Sequence, residues 1–160
     1  MRMKNKTGLE EMEIRLKQEC VGILASNKPV ETPEDAISLI QNELESLDRE
    51  VFIVINLDAI KRPINYNVVS VGGTAIALLS PSNVFKSSIL SNASLIMIVH
   101  NHPTGEIKPS KSDDDITATI GSAGEILNIK LLDSVIVGVG SNKYYSYKKE
   151  KPMFLRGINI

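Results

Sequence analysis

A chain of 160 residues that is 42% hydrophobic and 23% charged has the material for one buried core and little left for a second. That balance excludes a disordered tail, a collagen-like fibre and a coiled-coil rod. With 18 Lys and Arg against 19 Asp and Glu the net charge is −1, so no global basic field points to nucleic acid or an anionic membrane. Taken in chain order, residues 1–31 read as an arm that a partner copy could exchange. Met12, Ile14 and Leu16 alternate with charges over residues 10–20, suggesting an edge strand. The first twenty residues are charged and hold no apolar h-region, so no signal peptide is expected. Cys20, the single cysteine, can form neither an internal disulfide nor a thiolate zinc site, which fits a reducing cytoplasm.

Thr32-Pro33-Glu34-Asp35 is a helix start, with a capping hydroxyl, Pro at the first helical position and acids facing the positive helix end. Ala36, Ile37, Ile40, Leu44 and Leu47 recur at three- and four-residue steps behind it, predicting an amphipathic helix to about Leu47. Val51–Leu57 is a β-branched apolar run of strand length, expected to be buried on both faces. Lys61-Arg62-Pro63 reads as a turn into a second strand over 64–71 that pairs back on the first, and Gly72-Gly73 breaks it. Ser80-Pro81-Ser82 opens another helix with Val84, Phe85, Ile89 and Leu90 on one face. A third buried strand at 95–99 gives way from His100 to a polar loop. Ser110 then opens a helix through about Leu127. Strands over 131–139 and 143–148 follow, the last running into a basic tail at 151–160. The purely apolar stretches at 51–55, 75–79 and 95–99 are five residues each, far short of a membrane span, so no membrane partner is expected. The elements add up to a mixed α/β sandwich around one sheet, in a domain over 32–150.

Both histidines of the chain fall within Val99-His100-Asn101-His102-Pro103. On a strand, positions i and i+2 face the same way, so the two imidazoles converge. A loop with Pro103, Gly105 and Pro109 leads to Ser110-Lys111-Ser112-Asp113, which brings Asp113, in the first turn of the next helix, back toward them. Two His and a carboxylate form a ligand set for a catalytic Zn²⁺ with a fourth position for water. The spacing His-x-His, seven residues, Ser-x-x-Asp arises by chance in a chain this long on the order of 10⁻⁴ of the time, so it outweighs a coincidental pair of loop histidines. Ser110 would sit beside the site with a hydroxyl for a substrate oxyanion. The plain alternatives stay in view: Ser-x-x-Asp is also a good helix cap, and Asp114 and Asp115 read as solvated first-turn acids.

Here the sequence resembles the JAMM/MPN (JAB) metalloprotease family, and within it the RadC-like branch. HNHPTGEIKPS is similar to the loop of that branch, as are EVFIVINLD at 50–58, VSVGGT at 69–74, PSNVFKSSI at 81–89 and LLDSVIVG at 131–138. The resemblance implies a cytidine-deaminase-like three-layer sandwich with zinc at the end of a central strand. It implies His100, His102 and Asp113 as metal ligands and Ser110 as the oxyanion-stabilising serine. It also implies a glutamate before an earlier strand as general base, a position that Glu50 matches; Glu43 and Glu45 rival it by type but fall inside the predicted helix. The implied activity is hydrolysis of an amide or isopeptide bond in a peptide or protein substrate. Zn²⁺ can lower the pKa of its water to about 7, and a carboxylate such as Glu50 can pass the proton to the leaving amine.

Three departures from the branch stand out. Its amino-terminal helix-hairpin-helix-type segment is expected to be absent, Ser134 replaces a histidine after Leu-Leu-Asp, and Ser82-Asn83 replaces an Arg-Glu pair. The runner-up reading is a DNA-associated accessory module with a structural or vestigial zinc, and a third is a dead enzyme used in protein assembly. Tyr144, Tyr145 and Tyr147 among Lys143, Lys148 and Lys149 could stack on single-stranded nucleic acid, or simply form a terminal strand with charged edge protection.

Overall fold

The computed structural model describes residues 27–44, 48–72 and 79–156. Helix α1 spans Pro33–Leu44, and two strands follow, β1 at Val51–Leu57 and β2 at Pro63–Val71. Next come α2 at Pro81–Leu90, β3 at Leu95–His102, α3 at Lys111–Leu127, β4 at Lys130–Gly138 and β5 at Lys143–Ser146. A helical turn, α4, at Tyr147–Glu150 and a 3-10 turn at Pro152–Arg156 complete the described elements. The strand proposed for residues 10–20 and the continuation of α1 to Leu47 lie outside the described residues.

The five strands form one mixed sheet in the order β2-β1-β3-β4-β5. β3 lies at its centre, antiparallel to β1 and parallel to β4, so α3 is the crossover between two parallel neighbours. Apolar residues alternate between the two faces. Phe52, Val54, Ile96, Ile98 and Ile136 pack with Val84 and Phe85 of α2, Ile120 of α3 and Leu155. Ile53, Ile55, Met97, Val99 and Val135 pack with Ala36, Ile40 and Leu44 of α1. Helices therefore cover both faces, which is why every residue of β1 is buried and its sequence is a continuous apolar run. Each Ile or Phe so buried contributes about 1.5–3 kcal/mol.

The local start signals act as their chemistry predicts. Thr32 Oγ1 accepts from the Asp35 amide while Asp35 Oδ2 accepts from the Thr32 amide, a reciprocal cap on α1. Ser80 caps α2, and Lys61 takes a positive φ of 65° in the turn before β2. Two boundaries differ from expectation. β3 does not stop at Val99: His100, Asn101 and His102 stay in register with Ile136, Val137 and Gly138, because β4 offers a ladder to polar residues as readily as to apolar ones. The last strand ends at Ser146 rather than at Lys148. Ser146 Oγ accepts from the Lys149 amide and donates to buried Asp133, turning the chain into α4 and burying Tyr147. The segment after it packs back on α3, where a Cβ on Gly121 would lie 2.5 Å from the Phe154 carbonyl oxygen. Among the described residues no helix is long and apolar enough to cross a membrane.

Candidate metal centre

The C-terminal end of β3 carries both histidines on the face that α3 covers. His100 is 2% exposed, and its ring stacks on Phe52 of β1 with centroids 5.7 Å apart. The ring of His102 lies 5.1 Å from that of His100. The loop after β3 is held tightly to the end of β4. Gly105 adopts φ +80°, its amide donates to the His102 carbonyl, and Gly138 leaves no room between the strand and the Gly105 carbonyl. This fold of the loop presents the Glu106 carbonyl 2.9 Å from His102 Nδ1. That nitrogen therefore carries the proton donated to the carbonyl and Nε2 is turned toward Asp113.

Asp113 arrives from the first turn of α3. Ser110 caps that helix and accepts from the Asp113 amide, while Asp113 Oδ2 accepts from the Ser110 amide at 2.7 Å and from the Ser110 hydroxyl at 2.6 Å. The capping and site readings of Ser-x-x-Asp thus coincide: the cap aims the carboxylate at the histidines. Asp113 Oδ1 is 3.2 Å from His100 Nε2, and Oδ2 is 3.6 Å from His102 Nε2. Glu50, immediately before β1, brings Oε1 to 4.0 Å from His100 Nε2. One donor atom from each of Glu50, His100, His102 and Asp113 lies within 4.8 Å of the others. Glu43, in contrast, accepts from the Tyr66 hydroxyl on another part of the sheet, and Glu45 lies outside the described residues.

Two carboxylates face two histidines in this group. Burial by itself would raise the Asp113 pKa, but the two histidines and the Ser110 hydroxyl outweigh it and hold the carboxyl well below its usual range. The Asp113 carboxylate pushes His102 upward, against the opposing effect of burial. The donor set fits a small divalent ion. In a tetrahedral site with bonds of 2.0–2.1 Å, neighbouring ligand atoms stand about 3.3 Å apart. Asp113 Oδ1 stands at about that separation from His100 Nε2, and Oδ2 somewhat farther from His102 Nε2, whereas the Glu50 oxygen stands outside it. The 3.2 Å contact lacks hydrogen-bond alignment, so among the described residues neither ring nitrogen of buried His100 has a hydrogen-bond partner. An uncompensated buried polar atom costs about 1–3 kcal/mol, and an ion beside Nε2 would relieve it on that side.

Several residues that matter here carry no recognisable motif. Asn101, between the histidines, is fully buried on the opposite face: Oδ1 accepts from the Val51 amide at 2.7 Å and Nδ2 donates to the Arg49 carbonyl at 3.0 Å. A polar residue inside an otherwise buried strand is the sequence signal that singles it out. Asp114 is not a solvated acid. It accepts from the Tyr147 hydroxyl and from both-oxygen contacts with Lys151 Nζ at 2.8 and 2.7 Å, tying α4 to the first turn of α3, whereas Asp115 is exposed. Ser134 is buried with its hydroxyl 3.0 Å from that of Thr117, one turn beyond Asp113. Of the three clustered tyrosines, Tyr147 is fully buried and Tyr144 shares its hydroxyl with Glu34 and Lys149.

A sheet whose central strands are buried on both sides, with two histidines at the end of its middle strand and two carboxylates facing them, defines a mixed α/β domain with a candidate metal centre. The chain belongs to the family of the RadC-like JAB domain, whose model matches residues 30–152. It is 40% identical over 114 residues to a UPF0758 protein of Caldanaerobacter subterraneus, covering 71% of this chain and 49% of that one. It is 37% identical over 120 residues to a UPF0758 protein of Rubrobacter xylanophilus (75% and 52%), and 39% identical over 121 residues to one of Desulforudis audaxviator (76% and 52%). The chain spans about half the length of these curated relatives.

Proposed function

We propose that this chain is a zinc-dependent hydrolase of amide bonds, acting on a peptide or isopeptide link in a protein substrate in the cytoplasm. The observation that carries the reading is His100: a buried imidazole with unpartnered nitrogens, within 4 Å of two carboxylates and beside a second histidine. Membership in the JAB family supports it, since that family includes metallopeptidases. His100, His102 and Asp113 would hold the zinc. When bound, the ion supplies Lewis acidity, polarising a carbonyl and making water a nucleophile near neutral pH.

The remaining work falls to the chain itself. Glu50, with its side chain 32% exposed, borders the group, its carboxylate accepting no hydrogen bond among the described residues, and it serves as general base. It takes a proton from the attacking water and delivers it to the leaving amine, a role worth about 10²–10⁴ in rate. The Ser110 hydroxyl, at the exposed rim of the site, rotates from Asp113 to donate to the oxygen that gains charge as the carbonyl is attacked.

The test begins with metal content in protein purified without added metal, alongside a His100→Ala/His102→Ala double variant. About one zinc per chain, lost in the double variant, followed by peptide or isopeptide cleavage that Glu50→Gln abolishes, is the expected result. Protein that takes up no zinc even when it is supplied, or a double variant that keeps its metal, overturns the proposal.

A further inference from the structure

We infer that Asn101 is a positioning residue for Glu50: one side chain, set between the two histidines, fixes both backbone groups that flank the acid. The ladder between β1 and β3 begins at the pair Phe52–His100, so the backbone just before it has no partner strand on that side. The Asn101 carboxamide fills this gap. Its oxygen accepts from the Val51 amide and its nitrogen donates to the Arg49 carbonyl, the peptide groups on either side of Glu50. From the other side, the Gly72 amide donates to the carbonyl of Glu50 itself at 2.8 Å. The main chain at Glu50 is thus clasped by β3 and by the end of β2, and only the side chain remains free to turn.

The chemistry of this clasp suits asparagine and no near substitute. The position needs one donor and one acceptor at the end of a short branch. Aspartate lacks the donor, leucine lacks both, and glutamine is a methylene too long. Because Asn101 is fully buried, its bonds are not traded for water. Three consecutive residues therefore set the whole arrangement: His100 and His102 point to one face, while Asn101, on the other, determines where the carboxylate of the neighbouring strand stands, 4.0 Å from His100 Nε2. The acid is placed by the same strand end that holds the imidazoles.

This inference rests on the metal reading above, and its test separates the two. Each protein is loaded with cobalt(II), and the visible spectrum is followed with pH in wild type, Glu50→Gln, Asn101→Leu and the double variant. Glu50→Gln is expected to move the spectral midpoint by about one pH unit, because a charge beside the ion is removed. Asn101→Leu should move it the same way by at least about half as much with cobalt stoichiometry retained. Adding Glu50→Gln to it should then shift the midpoint only by the remainder, no more than about half a unit, the signature of coupled sites. If the full Glu50→Gln shift persists in the Asn101→Leu background, or if Glu50→Gln shifts nothing in wild type, the inference is wrong while the metal reading stands. An Asn101 variant that folds but loses cobalt acts on the histidines and also overturns it. Wild type that takes up no cobalt refutes the metal reading and the inference with it. Asn101→Ser, which admits water to the vacated bonds, serves in the same cycle if Asn101→Leu does not fold.

Discussion

Replacing Gly138 with alanine tests whether the β3–α3 loop holds His102 in place. A Cβ at that position would stand 2.4 Å from the Gly105 carbonyl oxygen, whereas ordinary contact begins at 3.4 Å, so the loop or the strand must move by about 1 Å. The Ser141 hydroxyl, also 2.4 Å away, can rotate, but the Gly105 carbonyl is backbone and cannot. Overpacking of this kind costs about 1–3 kcal/mol, which for a chain of this size lowers Tm by about 2–12 °C. The displaced loop also carries the Glu106 carbonyl away from His102 Nδ1, and losing such an outer partner typically weakens metal affinity by about 10–100-fold. Gly140→Ala is the control, because Gly140 has φ +71° but nothing within 4 Å of its virtual Cβ, so it carries turn strain without the clash. Thermal unfolding and cobalt competition titrations on both variants measure the two effects. A Gly138→Ala protein with wild-type Tm and wild-type metal affinity would refute the role assigned to this contact.

Two further outcomes follow from charge. In metal-free protein the raised pKa of His102 stabilises the fold fully below the unfolded value of about 6.5, and that contribution is lost as pH rises through the folded value. Metal must displace the same proton, so urea unfolding should show metal-free protein losing stability as pH rises above about 6.5 while the increment conferred by zinc grows; a falling zinc increment would contradict this. Burial raises the pKa of Asp133 despite its bonds from Ser146, Lys148 and Ser134, so its ionised form costs stability at neutral pH. Asp133→Asn should match or exceed wild type at pH 7 and lose that advantage toward pH 4, and thermal scans showing the reverse trend would exclude it.

The parts of the fold visible in the sequence are those whose causes are local. Pro33 after Thr32, and Ser110 three residues before Asp113, are capping signals that act within one turn, and both helices start where those residues stand. The period of two in His-x-His and the helix start after it were enough to place three of the candidate ligands. Glu50 was legible only through resemblance, since an acid before an apolar run has many meanings; its place beside His100 depends on the pairing of β1 with β3. Distance along the chain hid the rest. The bonds of Asn101 to Arg49 and Val51 cross about fifty residues, the Gly105–Gly138 contact crosses more than thirty, and Asp114 meets Tyr147 and Lys151 only when the chain end folds back on α3. Likewise β3 continues through polar residues because β4 pairs with it, which no hydropathy pattern reveals.

The donors come from unequal sources. His100, His102 and Asp113 lie in one short stretch of a single strand–loop–helix unit, while Glu50 belongs to a different strand. Under the proposed function, holding an ion and using it would therefore be separable. A descendant that lost Glu50 would keep a complete ion-holding unit and could be retained as a scaffold, whereas one that lost His100 would surrender both capacities at once. Grafting follows the same division: the span from β3 through the first turn of α3 could carry its ligands into another parallel strand pair, but the acid would have to be found anew in the host.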